Sequence, residues 1–306
     1  MKLQQLKYIV EITRRDLSIS AAANALHTSQ PGVSNQVQLL EQELGLKVFE
    51  RHGKRLLDLT PIGKRIIELA DKVLLDVENI KQLAADNHND QEGTLSIGTT
   101  HTQARYALPK AIKAFSERYP KVHLNMVQGT PTEVGEMAAT GKVDIAIATE
   151  GLSKFDSLAI LPCYQWNRSV IVPPEHPLLL IKNIQLQDIA HYEILTYVMG
   201  FTGRAQQDDA FTKKDLQPNV TFTATDADVI KTYVGLGLGI GIIASMAFNP
   251  VKDAPLHALD VSHLFPSSTT HMGIRKGSHL RSYMYDFIAL FSEHLDKKTV
   301  EKSILI

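Results

Sequence analysis

The stretch SISAAANALHTSQPGVSNQVQLLEQELG, residues 18–45, is typical of two short helices joined by a sharp turn. Ser20 is a suitable N-cap for a first helix over residues 21–26, whose alanines allow a second helix to cross it closely. His27 and Thr28 are the expected turn residues. The stretch therefore predicts a helix-turn-helix. From spacing alone, the alternative is a helical hairpin in some all-α domain.

The second predicted helix has an apolar face and a polar face. It begins after the N-cap Ser29, and Pro31 falls in its first turn, where a missing N–H is tolerated. A narrow apolar stripe faces the core and consists of Val33, Val37, Leu40 and Leu44. The opposite face carries hydroxyl and amide side chains, which suit the reading of base edges in a DNA groove. The candidate DNA-binding residues of this recognition helix are Ser29, Gln30, Pro31, Ser34, Asn35 and Gln38.

A β-hairpin is predicted directly after this helix. LKVFERHGKRLLDLT, residues 46–60, alternates apolar and polar residues around His52 and Gly53. Arg51 and Lys54 lie along the hairpin, where cationic side chains can neutralise phosphates or enter the minor groove. The hairpin is therefore a candidate wing, and the alternative is a charged hairpin that only faces water.

Positive charge is concentrated near the N-terminus. The whole chain has a formal net charge of −1, but residues 1–66 contain ten Lys and Arg against six Asp and Glu. This local excess favours nucleic-acid binding by the N-terminal region. Because the excess is modest for one chain, useful affinity requires several copies of the domain to bind together.

A long helix is predicted after the hairpin. Thr60 and Pro61 are a strong helix start, and from there apolar residues recur at spacings of three and four. We call this row the seam; it consists of Ile62, Ile66, Leu69, Val73, Val77, Ile80 and Ala84. Its length predicts pairing with a second copy of the helix, which implies a two-fold dimer and a roughly palindromic DNA site. The alternative is packing against the chain's own second domain. We assign residues 1–60 to a winged helix-turn-helix domain and 61–90 to a linker and dimerisation helix.

The remaining chain, residues 91–306, has an α/β pattern. Strand and helix signals alternate as βαβαβ, and a second set of alternating signals follows after about residue 161. Each set predicts a parallel sheet, so two Rossmann-like lobes with a cleft between them are expected. The fold class is therefore α/β with an N-terminal winged helix-turn-helix and a long linker helix.

Polar side chains occur where several predicted strands end. Thr100, Thr102 and Gln103 separate the first strand from its helix, Thr149 directly follows the third strand, and Thr202 lies in a polar turn of the second lobe. Ligands of open α/β sheets bind at the carboxyl ends of strands, near helix N-termini that favour anions. Neutral hydroxyl and amide donors suit a small oxyanion or an acylated amino acid. Each threonine alone is otherwise explained as a helix cap.

Residues 1–65 resemble the winged helix-turn-helix of the LysR-type transcriptional regulators in LQQLKYIVEI, AANALHTSQPGVSNQVQLLEQELGLKVFER and LTPIGKR. Asn35 stands where that family commonly has Arg or Lys. The resemblance implies a ligand-responsive DNA-binding regulator with a two-lobed effector domain that resembles periplasmic solute-binding proteins. It also implies that the C-terminal helix rejoins the first lobe. Lobe I is then about 91–161 and 267–294, lobe II is about 162–266, and a short tail follows.

Four further segments, THTQARYALP, FTGR, FTATDADVIKTYV and LRSYMYDF, resemble the cysteine-biosynthesis regulators of that family, the CysB group. This resemblance implies an activator of sulfate-assimilation and cysteine-biosynthesis genes. The implied inducer is N-acetylserine or O-acetylserine, with sulfate or thiosulfate in the same cleft. The residues implied to line that cleft are Thr100, Thr102, Gln103, Thr149 and Thr202. The implied partners are double-stranded operator DNA, RNA polymerase and further copies of the chain in a dimer or tetramer. A LysR-type regulator of another pathway that senses a different small anion is the alternative.

Enzymatic, cofactor and metal chemistry are not expected. The twelve histidines include no HExxH pattern, and no GxSxG elbow is present. The glycines of GLGLGIG, residues 235–241, follow a helix and lack dinucleotide-binding spacing, so they are interpreted as packing glycines. A single cysteine and the lack of a long apolar run predict a cytoplasmic protein without membrane association. An enzyme or small-molecule-binding protein with an incidental DNA-binding domain is a remote alternative.

Overall fold

The computed structural model describes residues 1–53, 55–88 and 91–305, and the chain divides into two compact units, Met1–Asn87 and His88–Ile306. Unit 1 begins with three helices, α1 (Leu3–Arg14), α2 (Ile19–Ala25) and α3 (Gln30–Leu44). The antiparallel strands β1 (Phe49–His52) and β2 (Arg55–Leu59) follow, and then the long helix α4 (Pro61–His88). The predicted helix-turn-helix, hairpin and linker helix are all present.

Helix α2 begins earlier than predicted. Ser18, and not Ser20, is its N-cap, because the Ser18 hydroxyl accepts a hydrogen bond from the Ala21 N–H at 3.2 Å. The two residues before the cap, Asp16 and Leu17, have φ of +50° and +62°, which ends α1 and turns the chain sharply. This turn makes the backbone at Ser18 extended and starts α2 at Ile19, two residues before the predicted position.

The core of unit 1 is formed by the apolar faces of its helices. Val33, Val37 and Leu40 of α3 are buried, as predicted, against Ile9 and Ile12 of α1. The prediction was wrong for the last residue of the stripe. Leu44 is exposed, and Glu41 has the buried position near the end of α3 instead. The apolar stripe therefore ends one turn before the helix does.

Helix α4 has one face that belongs to the core of unit 1 and another that is open. The Thr60 hydroxyl accepts a hydrogen bond from the Gly63 N–H at 2.9 Å, which confirms the predicted helix start. Ala70 is buried in the core, whereas the seam residues Leu69 and Ile80 are 64% and 67% exposed in the single chain. At 28 residues α4 is long. Neither α4 nor any other helix in the described part of the chain is long and apolar enough to cross a membrane.

Unit 2 contains two five-stranded sheets, which define lobe I and lobe II. The lobe I sheet has the strand order β4-β3-β5-β12-β6, formed by β3 (Glu92–Thr99), β4 (Lys121–Gln128), β5 (Ile145–Ala148), β6 (Leu158–Trp166) and β12 (Ser268–Arg275). Its helices are α5 (Leu108–Arg118), α6 (Pro131–Ala139), α10 (Ser282–Phe291) and α11 (Lys297–Ile304). The lobe II sheet has the order β11-β7-β10-β8-β9, formed by β7 (Arg168–Val172), β8 (Ile194–Tyr197), β9 (Val220–Ala224), β10 (Ile240–Ala244) and β11 (His257–Asp260). Its helices are α7 (Leu186–Ala190), α8 (Arg204–Thr212) and α9 (Ala227–Gly235).

Both sheets are mixed, although parallel sheets were predicted. In lobe I, β3 is parallel to β4 and β5, but β12 is antiparallel to β5 and β6. In lobe II, β10 is parallel to β8 and antiparallel to β7. The antiparallel strands are those next to the two chain crossings, where β6 leads into β7 and β11 leads back to β12. A strand that crosses between lobes joins its new sheet without the helical connection that a parallel neighbour requires.

The first crossing lies later in the chain than the predicted lobe boundary at residue 161. Strand β6 belongs to the lobe I sheet as far as Trp166, so Asn167 alone separates it from β7. The Asn167 amide donates to the carbonyls of Ser262 at 3.1 Å and Phe265 at 3.3 Å, which lie on the returning segment. One side chain therefore connects both crossings.

The C-terminal segment after residue 294 is a helix, whereas a tail outside lobe I was predicted. Asp296 caps α11 by accepting a hydrogen bond from the Thr299 N–H at 2.8 Å. Val300 and Ile304 are both buried in the lobe I core, one helical turn apart. Lobe I therefore includes α11, because this short helix places two apolar side chains on one face.

Two glycines of the glycine-rich stretch, Gly239 and Gly241, are confirmed as packing glycines, whereas an added Cβ atom at Gly235 or Gly237 would lie in open space. A Cβ atom on Gly239 would lie 2.2 Å from the Glu193 carbonyl oxygen, so only glycine fits there. At Gly241 a Cβ would lie 3.0 Å from Val234 and 3.1 Å from Ile230, where α9 packs on β10. Gly241 lets α9 and β10 pack closely, Gly239 lets the chain approach the backbone at Glu193, and neither opens a phosphate-binding loop.

Candidate functional site

The polar face of α3 is open to solvent in unit 1. Gln30, Pro31, Asn35 and Gln38 are exposed, and Ser34 is half-buried. The Ser29 hydroxyl has a structural role, because it accepts a hydrogen bond from the Gly32 N–H at 3.3 Å and caps the helix. The structure therefore places the predicted recognition residues together on one exposed face, with Ser29 at its start.

The wing is attached to α3 by a buried carboxylate that the sequence analysis did not single out. Glu41 is 2% exposed, and its Oε1 atom accepts hydrogen bonds from the N–H groups of Val48 at 3.0 Å and Phe49 at 3.3 Å. Its Oε2 atom is 3.3 Å from both Lys47 and Arg51. The sequence signal that could have identified Glu41 was a carboxylate one residue after the apolar stripe residue Leu40. Glu41 fixes the start of the wing relative to the recognition helix.

Arg51 and the other wing cations differ in their surroundings. The Arg51 side chain is 19% exposed and directed toward Glu41, so it is already paired within unit 1. Arg55, which follows it on β2, is exposed and lines a groove of about 530 Å³ together with Ser20 and Gln30. Lys54 lies outside the described residues. The groove joins the start of α3 to the wing, and Arg55 is the wing cation that it presents.

The lobe I part of the cleft is formed where β3 and β5 end. These strands are neighbours, with Thr99 opposite Ile147, so the residues that follow them lie side by side. The Thr99 hydroxyl donates to the Ile147 carbonyl at 3.0 Å and is fully buried. Thr100 and Thr149 come directly after these strands, and neither hydroxyl has a hydrogen-bond partner among the described residues. Two hydroxyl groups are therefore available at one sheet edge.

Gln103 is more strongly engaged within the protein than its predicted role suggests. Its side chain is buried, its Oε1 accepts a hydrogen bond from the Tyr164 hydroxyl, and its Nε2 donates to the Thr270 hydroxyl at 3.1 Å. Tyr164 and Thr270 belong to neighbouring strands of lobe I. Only one Nε2 hydrogen remains for a ligand. Tyr164 was not singled out from sequence, because nothing local places its hydroxyl beside Gln103.

In lobe II, the turn before α8 contributes Thr202. This residue has φ of +46°, which is unfavourable for a β-branched side chain, and Gly203 follows with φ of +70°. The Thr202 hydroxyl lies 3.4 Å from that of Thr102 in lobe I, and both residues are buried. The two lobes therefore meet at a pair of threonines that both belong to the predicted site.

The buried guanidinium of Arg168 stabilises this turn through hydrogen bonds. Arg168 Nη2 donates to the Gly203 carbonyl at 2.7 Å and the Ser268 hydroxyl at 3.0 Å, and Nη1 donates to the Pro266 carbonyl at 3.1 Å. Burial lowers the pKa of Arg168, and the negative charge of Glu150 opposes this. Burial likewise raises the pKa of Glu150, against a hydrogen bond from the Gly203 N–H. Arg168 is committed to protein acceptors, so the donors of the predicted cleft are chiefly neutral.

Two sets of side chains could in principle bind a metal or undergo redox chemistry, but their surroundings in the protein disfavour both. Among the described residues, His101, Asp226 and Asp228 have potential ligand atoms within 4.8 Å of one another. Asp228 is paired with Lys231 at 3.1 Å and with Arg105, and these two cations disfavour a metal ion there. Burial raises the pKa of the Cys163 thiol to about 12, so it is an unreactive core residue.

Comparisons with known proteins match both units. Residues 3–64 match the model of the bacterial regulatory helix-turn-helix protein, lysR family, and residues 88–296 match the LysR substrate binding domain. The chain is 50% identical over 303 residues to the transcriptional regulator CysB of Haemophilus influenzae, covering 99% of this chain and 94% of that one. It is 47% identical to SsuR of Burkholderia cenocepacia, covering 98% and 97% of the two chains. These relatives are transcriptional regulators and not enzymes.

Solved structures of similar fold lead to the same conclusion. The cofactor-binding domain of the Cbl transcriptional regulator superposes with a TM-score of 0.69 at 42% identity, covering 71% of this chain and 95% of that one. A full-length OxyR variant from Pseudomonas aeruginosa gives a TM-score of 0.70 at 26% identity, covering 95% and 94%. The exposed polar face of α3, the two-lobed unit 2 and these matches agree: the chain belongs to the LysR family of DNA-binding, effector-responsive transcriptional regulators.

Proposed function

We propose that this regulator activates genes of sulfate assimilation and cysteine biosynthesis, with N-acetylserine or O-acetylserine as inducer and sulfate or thiosulfate as ligands of the same cleft. Similarity to CysB, SsuR and Cbl over nearly the whole chain supports this assignment. A regulator of another pathway that senses a different small anion is the alternative. In either case the ligand acts by binding one arrangement of the protein more tightly than another.

One observation carries the ligand assignment: hydroxyl groups from both lobes converge at the strand ends. Thr102 and Thr202 meet across the lobes at 3.4 Å, while Thr100 and Thr149 present hydroxyls without partners among the described residues. Gln103 adds one N–H. Neutral donors of this kind suit a small anion or an acylated amino acid, whose carboxylate and amide oxygens accept hydrogen bonds.

Calorimetric titration of the full chain with N-acetylserine, O-acetylserine, sulfate and thiosulfate tests the proposal directly. A DNA mobility-shift assay with the same ligands follows. Saturable binding of an acetylserine together with a changed DNA complex is expected. If none of these ligands binds while DNA binding is intact, the alternative effector class replaces the proposed one.

Substitution of Thr100 by valine is expected to weaken inducer binding about 3- to 10-fold, because it removes one neutral hydrogen bond without changing side-chain shape. Thr94→Val is the matched control, since Thr94 lies on the same strand β3 but near its opposite, exposed end. Calorimetry measures both variants. Equal affinities of the two variants would contradict the assignment of Thr100 to the cleft.

We propose the polar face of α3 as the DNA-reading surface, with Ser29, Gln30, Pro31, Ser34, Asn35 and Gln38 in the major groove and the wing against the backbone. Residues 1–60 would form the reading domain, 61–90 the linker, and 91–306 the effector domain. Support comes from the joint exposure of these side chains and from the groove that Gln30 and Arg55 line. Activation would require contact with RNA polymerase at the promoter.

The two wing arginines are expected to respond differently to truncation. Arg55→Ala should weaken DNA binding without a change in protein stability. It should also reduce the slope of log affinity against log salt concentration by about one, the change expected for one lost phosphate contact. Arg51→Ala should also destabilise unit 1, because it removes a partner of the buried Glu41. Salt-dependent fluorescence anisotropy and thermal unfolding measure these effects. A salt dependence unchanged in Arg55→Ala would exclude Arg55 from the interface.

We also propose that the seam of α4 pairs with its copy in a second subunit. The seam residues Leu69 and Ile80 are largely exposed to solvent in the single chain. A groove of about 930 Å³ is lined by residues of α1 and α4 that include Tyr8, Leu74 and the seam residue Val77. An exposed apolar row of this length is stabilised by burial against another helix.

A further inference from the structure

The segment that carries Thr100, Thr102 and Gln103 continues into a π-helical turn over Gln103–Ala107. The Leu108 N–H bonds to the Gln103 carbonyl, five residues back, where an α-helix would bond four residues back. Such turns are rare and are often found at functional positions. This one begins at the cleft residue Gln103 and leads into α5, so it sets the direction of the side chains that immediately follow Gln103.

Tyr106, the fourth residue of that turn, reaches from lobe I into lobe II. Its ring packs against a lobe II cluster that includes Ala227 and Ile230 of α9. Its hydroxyl donates to the Asp228 Oδ1 atom at 2.7 Å, and Arg105 forms an ion pair with the same carboxylate. The Arg105 side chain is 57% exposed, so that ion pair contributes little, and the half-buried tyrosine hydrogen bond is the main polar contact.

Asp228 is held in place from within lobe II. The Lys231 ammonium is buried and lies 3.1 Å from the Asp228 carboxylate, 2.9 Å from that of Asp253 and 2.8 Å from the Ala247 carbonyl oxygen. Burial raises the pKa of Asp228, but hydrogen bonds from Tyr106 and Lys231 outweigh it and hold the pKa below its usual value. The carboxylate is therefore charged, fixed in orientation and attached to α9.

We propose that Tyr106 and Asp228 are positioning residues of the effector cleft, whose contact joins the segment carrying Thr100, Thr102 and Gln103 to helix α9. Movement of that segment on ligand binding then moves α9 with it, and the two lobes respond together. This regulatory part rests on the proposed effector function. The mechanical part, that the contact joins the two elements, does not depend on a ligand.

Hydrogen exchange of the full chain without ligand tests the mechanical part. In Tyr106→Phe, amides of residues 103–107 and of the first turn of α9 should both exchange about tenfold faster, because one charge-assisted hydrogen bond is lost. Tyr192→Phe is the matched control: its ring is also half-buried, and its hydroxyl has no partner among the described residues. If α9 exchanges equally in the two variants, the contact does not join the lobes and the proposal is overturned.

The regulatory part is tested by the response of DNA affinity to N-acetylserine. Tyr106→Phe should still bind N-acetylserine within about threefold of the wild type, since the hydroxyl lies outside the cleft. The change in DNA affinity that the ligand causes should fall about tenfold, the size of the coupling that one such hydrogen bond can carry. A full ligand response in Tyr106→Phe overturns the positioning role. If the wild type binds no N-acetylserine, the proposed effector is wrong, and hydrogen exchange alone decides whether the contact joins the lobes.

Discussion

Replacement of Gly203 by alanine is expected to lower the free energy of unfolding of unit 2 by about 4 kcal/mol. The added Cβ atom would lie 1.9 Å from Arg168 Nη2 and 2.7 Å from the Ser268 hydroxyl. Arg168 cannot move away easily, because it is buried and bonded to the Gly203 and Pro266 carbonyls. Displacing it would leave a buried cation with fewer partners, and alanine is also strained at φ of +70°.

Gly200→Ala separates these two causes. Gly200 lies in the same turn with φ of +81°, but apart from its two chain neighbours no described residue has an atom within 4 Å of its added Cβ. Its expected cost is only the backbone strain, about 1 kcal/mol. Urea unfolding can be followed by the fluorescence of Trp166, the single tryptophan, which stacks on Arg168 at 5.4 Å. Equal losses in the two variants would show that backbone conformation decides, and that contact with Arg168 does not.

Aspartate at both Leu69 and Ile80 is expected to raise the dissociation constant of the α4-mediated dimer at least 1000-fold, on the order of 4 kcal/mol, because a symmetric seam would bury four carboxylates. Sedimentation of residues 1–90 measures the dimer directly. In the full chain, a separated subunit binds the operator through one DNA-binding domain, whereas the dimer binds through two linked ones. Operator affinity should therefore fall by about 100-fold or more.

The control pair Lys72→Gln and Gln82→Glu makes the same change in net charge outside the seam of α4. Lys72 is exposed and Gln82 is partly exposed. This variant should keep the dimer and most of the operator affinity. If the control dissociates as readily as the aspartate variant, charge repulsion along α4 accounts for the loss. If neither dissociates, the seam is not the dimer interface.

The helical part of unit 1 could be predicted from sequence because its signals are local. A period of 3.6 residues, a serine cap at Ser29 and the Thr60 start depend only on neighbours along the chain. The errors are local too, and they occur where the backbone is unusual. Positive φ at Asp16 and Leu17 moved the cap of α2 to Ser18; aspartate adopts positive φ more often than most residues, but leucine gives no such signal.

The strands of unit 2 were mostly found from sequence, but their directions were not. Alternation of apolar and polar residues marks a strand without stating which neighbour it pairs with. Strands β6 and β12 pair with each other across more than a hundred residues of chain, and that pairing makes the lobe I sheet mixed. Helix α11 was missed because it contributes only two apolar residues, Val300 and Ile304, whose burial depends on lobe I being present.

The sequence by itself determined the family, the order of the elements of unit 1 and the strand-end residues of the candidate cleft, because these depend on residue type and spacing along the chain. Only the tertiary structure decided how the buried charges and amides are used. Glu41 holds the wing, Arg168 holds the turn at Gly203, and Asp228 receives Tyr106 from the other lobe. A buried polar group needs a partner with correct geometry, and in these three cases that partner lies 7, 35 and 122 residues away along the chain. Spacing alone therefore cannot identify it.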